Sequence, residues 1–246
     1  MHAITFSAVT KSYDSRPVLQ DINLAFETGK LTAIIGRSGC GKSTLLKLCN
    51  GLTQPDSGSI EVFGESLNYL ALPTLRRRMG YAVQGTGLFP HLNTRDNIAL
   101  PAVAAGWSPD SISPRIDELL SLTQLSTDLL NAYPHQLSGG QQQRAGLCRA
   151  MLLRPEVLLL DEPFAAIDPI TRFDIHQQLQ DLLRNEPTTV VLVTHDMREA
   201  MLLADHIVVM EAGRIALNES TQNLINTKPG LEPEALLKSI MSETQR

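Results

Sequence analysis

Residues 36–43, Gly36-Arg37-Ser38-Gly39-Cys40-Gly41-Lys42-Ser43, fit the spacing G-x-x-x-x-G-K-[ST], with Thr44 directly after. An apolar run precedes them and a helical pattern follows. That context turns the pattern into a phosphate-binding loop, because glycines let successive backbone N–H groups turn inward around an anion. Lys42 neutralises phosphate charge, and the Ser43 hydroxyl is placed to ligate Mg²⁺. Cys40 occupies a free position of the loop and reads as a small filler.

Val157-Leu158-Leu159-Leu160-Asp161-Glu162 is an apolar run that ends in two acids. A buried strand of this kind aims its terminal carboxylates at the crevice where α/β sheets bind ligands. Asp161 suits a Mg²⁺ shell, and Glu162, one residue on, suits a general base toward an attacking water. In Leu137-Ser138-Gly139-Gly140-Gln141, Ser138 and Gln141 are the ends of an S-x-x-Q capping box. Gly139 and Gly140 lie inside the cap, so bare N–H groups at a positive helix end offer a second anion site.

These residues need a scaffold. Apolar, β-branched runs predict strands over residues 31–35, 157–160, 190–193 and 207–210; the first three are apolar enough to be covered on both faces of a parallel sheet. Helices are expected over 42–50, closed by Gly51, and over 172–183 after Asp168-Pro169. Short alternating segments before Leu31 and around 59–63 predict an antiparallel β portion. Between 84 and 153 strand signals vanish, and helical spacing is found at 117–125 and 141–153. The expected fold is α/β: a mostly parallel sheet with an antiparallel β portion and an inserted helical subdomain. It forms one domain, with 1–83 and 156–215 as the α/β core, 84–155 helical and 216–246 a short tail.

The chain has 246 residues and a formal net charge of −5, which argues against a nucleic-acid partner held by bulk electrostatics. Its three cysteines show neither a disulfide nor a zinc spacing. Apolar runs fall far short of the roughly 20 residues that span a bilayer, and the start lacks a signal-peptide pattern. The expectation is a chain made in the cytoplasm and retained there in solution.

With Leu137-Ser138-Gly139-Gly140-Gln141 added to the phosphate loop and the two acids, the sequence resembles the ABC ATPase family from about Ile4 to Ile215. The resemblance implies ATP and Mg²⁺ as cofactors and a head-to-tail dimer in which Ser138, Gly139, Gly140 and Gln141 cap the ATP of the opposite subunit. Residues 36–44, Arg37, Ser38, Gly39 and Cys40 among them, hold the nucleotide. Tyr13 stands where the family stacks an aromatic on adenine. Gln84 matches the glutamine that touches Mg²⁺ and the attacking water, and Asp168 matches the aspartate of S-A-L-D, although Ala165 replaces the usual serine. His195 matches the switch histidine at the γ-phosphate. Lys42, Glu162 and His195 are the catalytic set, and Ser43, Gln84 and Asp161 the metal ligands.

A single ATPase domain without fused membrane helices is similar to bacterial importer subunits. It implies permease transmembrane subunits as partners, an extracytoplasmic solute-binding protein acting indirectly, and a peripheral position on the cytoplasmic face of the inner membrane. Residues 76–91, Arg76-Arg77-Arg78 through Leu88-Phe89-Pro90-His91, resemble ATPases of osmoprotectant importers for glycine betaine, choline and carnitine. Amino-acid or other small-solute importers are the alternative, followed by a soluble ABC ATPase outside transport. A plain P-loop kinase would have no use for the Leu137–Gln141 motif.

Overall fold

The structure is a computed structural model that describes residues 1–227, except 86, 186 and 187, together with residue 235. In chain order come β1 (His2–Tyr13), β2 (Arg16–Glu27), β3 (Leu31–Gly36), α1 (Lys42–Cys49), β4 (Ser57–Val62), β5 (Glu65–Ser66), α2 (Leu72–Arg77) and β6 (Met79–Ala82). The helices α3 (Thr94–Ala104), α4 (Pro109–Thr123) and α5 (Gly139–Met151) follow. Then come β7 (Val157–Asp161), α6 (Pro169–Asn185), β8 (Thr189–Val193), α7 (Met197–Leu203), β9 (His206–Glu211), β10 (Arg214–Ser220) and α8 (Thr221–Thr227). The chain divides into two compact units, Met1–Leu72 with Thr189–Arg246, and Pro73–Thr188.

In the first unit, β3 lies between β8 and β9 and runs parallel to both, and β10 pairs antiparallel with β9. Every residue of β8, and β3 from Leu31 to Ile35, is buried. Such continuous apolar strands are sustained only by cover on both faces. The antiparallel part is longer than the alternation of the sequence predicts: β1 and β2 each have 12 residues. Bulges interrupt the β1–β2 register at several points and break the strict period of two on which the eye relies. Helix α1 closes in a Schellman turn, with the Gly51 amide on Leu48 O at 3.2 Å and the Leu52 amide on Lys47 O at 2.9 Å. Gly51 takes φ 66 there, the conformation glycine adopts without penalty.

The second unit holds the parallel pair β6–β7 and the helices α3 to α6, with α3 and α4 both packed on α5. The prediction of a helix over 117–125 caught only the second half of α4. Pro109 and Pro114 read as breakers, yet Pro109 sits at the helix start, where a missing N–H costs nothing. Helix α3, with Pro101 inside it, escaped for the same reason; Asn93 caps it by accepting the Asp96 amide at 2.8 Å. Helix α5 starts two residues before its predicted onset because Gly139 and Gly140 form its first turn. Helix α6 likewise begins at Pro169 rather than 172. The segment expected as a tail from 216 opens inside β10 and continues into α8. Residues 228–234 and 236–246 of that tail, and Thr86 of the stretch 76–91, lie outside the described residues.

Candidate functional site

In the first unit, β3 delivers Gly36 to the start of the loop in register with Met210 of β9. A Cβ on Gly36 would stand on the Met210 carbonyl oxygen, and 2.6 Å from the Cys40 Sγ. Gly39 and Gly41 have φ 80 and 106, which folds the chain back on itself before α1. Gly41 is the N-cap of α1, so backbone N–H groups and the positive helix end converge on this loop. The side chain of Lys42 is buried: its ammonium donates to Gly36 O at 2.7 Å and Arg37 O at 3.1 Å. It is held across the loop rather than released to solvent. Arg37 and Ser38 are exposed, while Ser43 and Thr44 are half-buried on the first turn of α1. Burial pushes the Cys40 thiol up, against the opposing pull of the Lys42 charge.

Ile34 pairs with Val193, so Gly36 and His195, each two residues further on, leave the same end of the parallel strands. His195 is exposed. It sits between two local clamps: the Asp196 amide donates to Thr194 Oγ1 at 3.0 Å, and Asp196 Oδ1 caps α7 through the amides of Arg198 and Glu199. Tyr13 ends β1 with 44% of its surface exposed, and its hydroxyl lies 3.5 Å from Thr53 Oγ1. An exposed aromatic on the rim of a sheet has contact area to offer a flat ligand.

In the second unit, Ala82 pairs with Leu160, so Gln84, Asp161 and Glu162 leave one end of the β6–β7 pair. Asp161 is buried and Glu162 half-buried. Glu162 takes φ 49, a left-handed conformation that L side chains adopt at a cost and that gathers at functional sites. Gln84 is exposed. The segment after it is fastened by residues the sequence reading passed over. Arg149 Nη1 donates to Gly87 O at 2.8 Å, and Asn97 both accepts the Phe89 amide at 2.7 Å and donates to Phe89 O at 3.0 Å.

The capping box expected at Ser138 is present: the Ser138 amide donates to Gln141 Oε1 at 2.8 Å, and the Gln141 amide to Ser138 Oγ at 3.3 Å. Gly139 and Gly140 form the first turn, and a Cβ on Gly140 would stand 3.1 Å from Ala166 O. The helix tip and the loop of residues 162–168 are therefore in contact. In that loop Asp168 Oδ1 accepts the Thr171 amide at 3.0 Å and starts α6; this hydrogen bond, foremost, holds the carboxyl below the usual range. Gln143 also reaches the loop, by accepting the Ala166 amide at 2.8 Å. As the third of three consecutive glutamines it carried no signal of its own in the sequence.

At the end of the β6–β7 pair, Asp161 and Gln84 offer oxygen donors of the kind that suits a hard cation such as Mg²⁺, and in the first unit the Ser43 hydroxyl is a donor of the same kind. The loop at 36–44, with its two left-handed glycines and buried ammonium, suits a polyphosphate. Among the described residues no helix is long and apolar enough to cross a membrane.

Comparison with known proteins adds to this geometry. The family profile described as ABC transporter matches residues 19–165. The glycine betaine uptake system ATP-binding protein YehX of Escherichia coli (strain K12) is 48% identical over 86% of this chain and 69% of its own length. The choline transport ATP-binding protein OpuBA of Bacillus subtilis (strain 168) is 41% identical over 86% of this chain and 56% of its own. The chain thus spans between about half and about two thirds of these relatives. A dimeric ATP-binding cassette in a post-hydrolysis state, bound to ADP and Pi, superposes with TM-score 0.84 at 31% identity, covering 89% of this chain and 98% of that one.

Proposed function

The chain belongs to the ABC transporter family, and from that premise we propose that it is the ATP-hydrolysing subunit of an importer for a small quaternary amine. The observation that carries the ATPase reading is the loop at 36–44, where two left-handed glycines and the buried Lys42 ammonium form a cradle for β- and γ-phosphate. The cargo reading draws on the glycine betaine and choline named for the two relatives.

Each residue then has a task. Lys42 and the loop amides bind the phosphates, and Tyr13 carries the base. Ser43, Asp161 and Gln84 are the oxygen donors for Mg²⁺, which when bound neutralises phosphate charge. Glu162 accepts a proton from the attacking water, and His195 and Gln84 orient toward the γ-phosphate. Ser138 to Gln141, with Asp168 beside them, meet the nucleotide of a second copy. Hydrolysis removes the shared phosphate contact and lets two copies part, and a permease turns that motion into transport. A solute-binding protein outside the cell would deliver the cargo, and this subunit would sit peripherally on the cytoplasmic face of the membrane.

The test is reconstitution with the cognate permease. Glu162→Gln is expected to bind ATP and dimerise with hydrolysis reduced about a hundredfold or more. Proteoliposomes are expected to take up labelled glycine betaine or choline only with the intact subunit. Full hydrolysis by Glu162→Gln would remove the base assignment. Uptake of an amino acid, with no uptake of either amine, would replace the cargo.

A further inference from the structure

We infer that Gln143 is a positioning residue that makes the helix tip at Ser138–Gln141 and the loop carrying Glu162 and Asp168 act as one body. The inference rests on the reading above, in which the tip and Asp168 serve a partner's nucleotide and Glu162, at the start of the loop, serves this chain's own.

The three glutamines that open α5 do three different things. Gln141 closes the capping box. The Gln142 side-chain amide donates to Pro134 O at 2.9 Å and Leu137 O at 3.1 Å, fixing the chain that enters the tip. Gln143 points the other way: it is 8% exposed, and its carbonyl oxygen accepts the amide of Ala166 at 2.8 Å. Ala166 lies between Glu162 and Asp168, and its carbonyl faces Gly140 so closely that a side chain there would press on it.

The rest of the loop is fastened to α6. Phe164 is buried with its ring centroid 4.7 Å from that of His176, Arg172 Nη2 donates to Ile167 O at 2.9 Å, and Asp168 accepts from Thr171. Those contacts fix the loop to its own following helix. The Gln143 bond ties it back to the helix that carries the tip. A buried acceptor paired with a backbone amide is costly to leave unmade, so the two elements are held in one arrangement.

The experiment compares wild type, Gln143→Met, which keeps the length and removes the acceptor, and Gln143→Glu, which keeps an acceptor. All three are studied with the cognate permease, Mg²⁺ and ATP. Gln143→Met is expected to lower kcat about tenfold, the scale of one buried hydrogen bond, with ATP affinity of the isolated subunit within about twofold of wild type. Its dependence on ATP concentration should lose cooperativity, and the Ala166 amide should exchange faster with solvent. Gln143→Glu should recover most of the rate and the slow exchange. Unchanged Ala166 exchange in Gln143→Met, or unchanged kcat and cooperativity, overturns the inference. If wild type fails to hydrolyse ATP, the functional reading falls, while the exchange comparison still decides whether Gln143 ties the two elements together.

Discussion

The ammonium of Lys11 lies 5.4 Å from the centroid of the Tyr13 ring, close enough for cation–π attraction. Asp56 holds the same ammonium at 2.7 Å and also accepts the Ser12 amide at 2.6 Å. The hydrogen bond from Lys11, ahead of that from Ser12, keeps the Asp56 carboxyl below its usual range. One carboxylate therefore braces the two residues that lead into the aromatic at the end of β1. Tyr13→Ala is expected to raise the KM for ATP roughly tenfold, the scale of one base–aromatic stack, with kcat within about twofold. Asp56→Ala should raise KM by less and leave kcat alone. Because the carboxyl is depressed, its brace is present above the ordinary carboxylate range and is lost as pH falls through the lowered value. Steady-state ATPase kinetics decide it; a kcat effect larger than the KM effect would remove Tyr13 from the base.

Two glycines of the phosphate loop should respond differently to the same methyl group. A Cβ on Gly41 would meet Leu19 Cδ2 at 2.6 Å and Val18 O at 2.8 Å, whereas one on Gly39 would have nothing within 4 Å. Both carry positive φ, so each alanine bears strain of roughly 1–2 kcal/mol. Gly41→Ala adds a collision with backbone and should lower Tm by about 4 °C or more, beyond the loss in Gly39→Ala. Equal Tm values for the two variants would show that β2 does not support the loop.

The three cysteines are buried and differ in their surroundings. Burial pushes the Cys148 thiol up to about 12, with Thr123 Oγ1 at 3.2 Å only partly offsetting it, and pushes Cys49 up further. At pH 8 iodoacetamide should label Cys40 first and leave Cys49 and Cys148 untouched until the protein is unfolded. A raised thiol contributes stability that is complete below its unfolded value near 9 and is lost as pH climbs toward 12. Urea midpoints should fall across that window, and less steeply in Cys148→Ala. Fast labelling of Cys148 in the native protein would contradict its burial.

What could be read from the sequence divides along physical lines. The strands β3, β7 and β8 and the helix α1 were legible because burial on both faces leaves an unbroken apolar run, and because Gly41 and Gly51 punctuate the helix between them. The capping box was legible because it is a local bond between residues three apart. Helix α3 was hidden because Pro101 suggests a break that its neighbours override. Gln143 and Arg149 were hidden because their partners, Ala166 and Gly87, are 23 and 62 residues away. Likewise, the left-handed backbone of Glu162 has no residue-type signature outside glycine.

Ser138 invites two explanations that one substitution can separate. As the N-cap of α5 it accepts the Gln141 amide and, with Gln141 in return, satisfies two donors at the helix start. As part of an anion receptor it must also leave the positive tip open to a phosphate. Aspartate caps as well as serine, and its charge favours a helix N-terminus. Ser138→Asp should therefore keep or raise Tm. The same carboxylate would stand where the phosphate is to approach, and like charges at close range oppose ionisation and association. ATP-driven dimerisation and hydrolysis should be lost, with ATP binding to the isolated subunit retained, because that binding belongs to the loop at 36–44. Ser138→Ala is the converse: a cap loss of about 1 kcal/mol in stability, with partial activity. Thermal unfolding, ATP titration and light scattering on the two variants give the answer. If Ser138→Asp dimerises and turns over normally, Ser138 is a cap and nothing more.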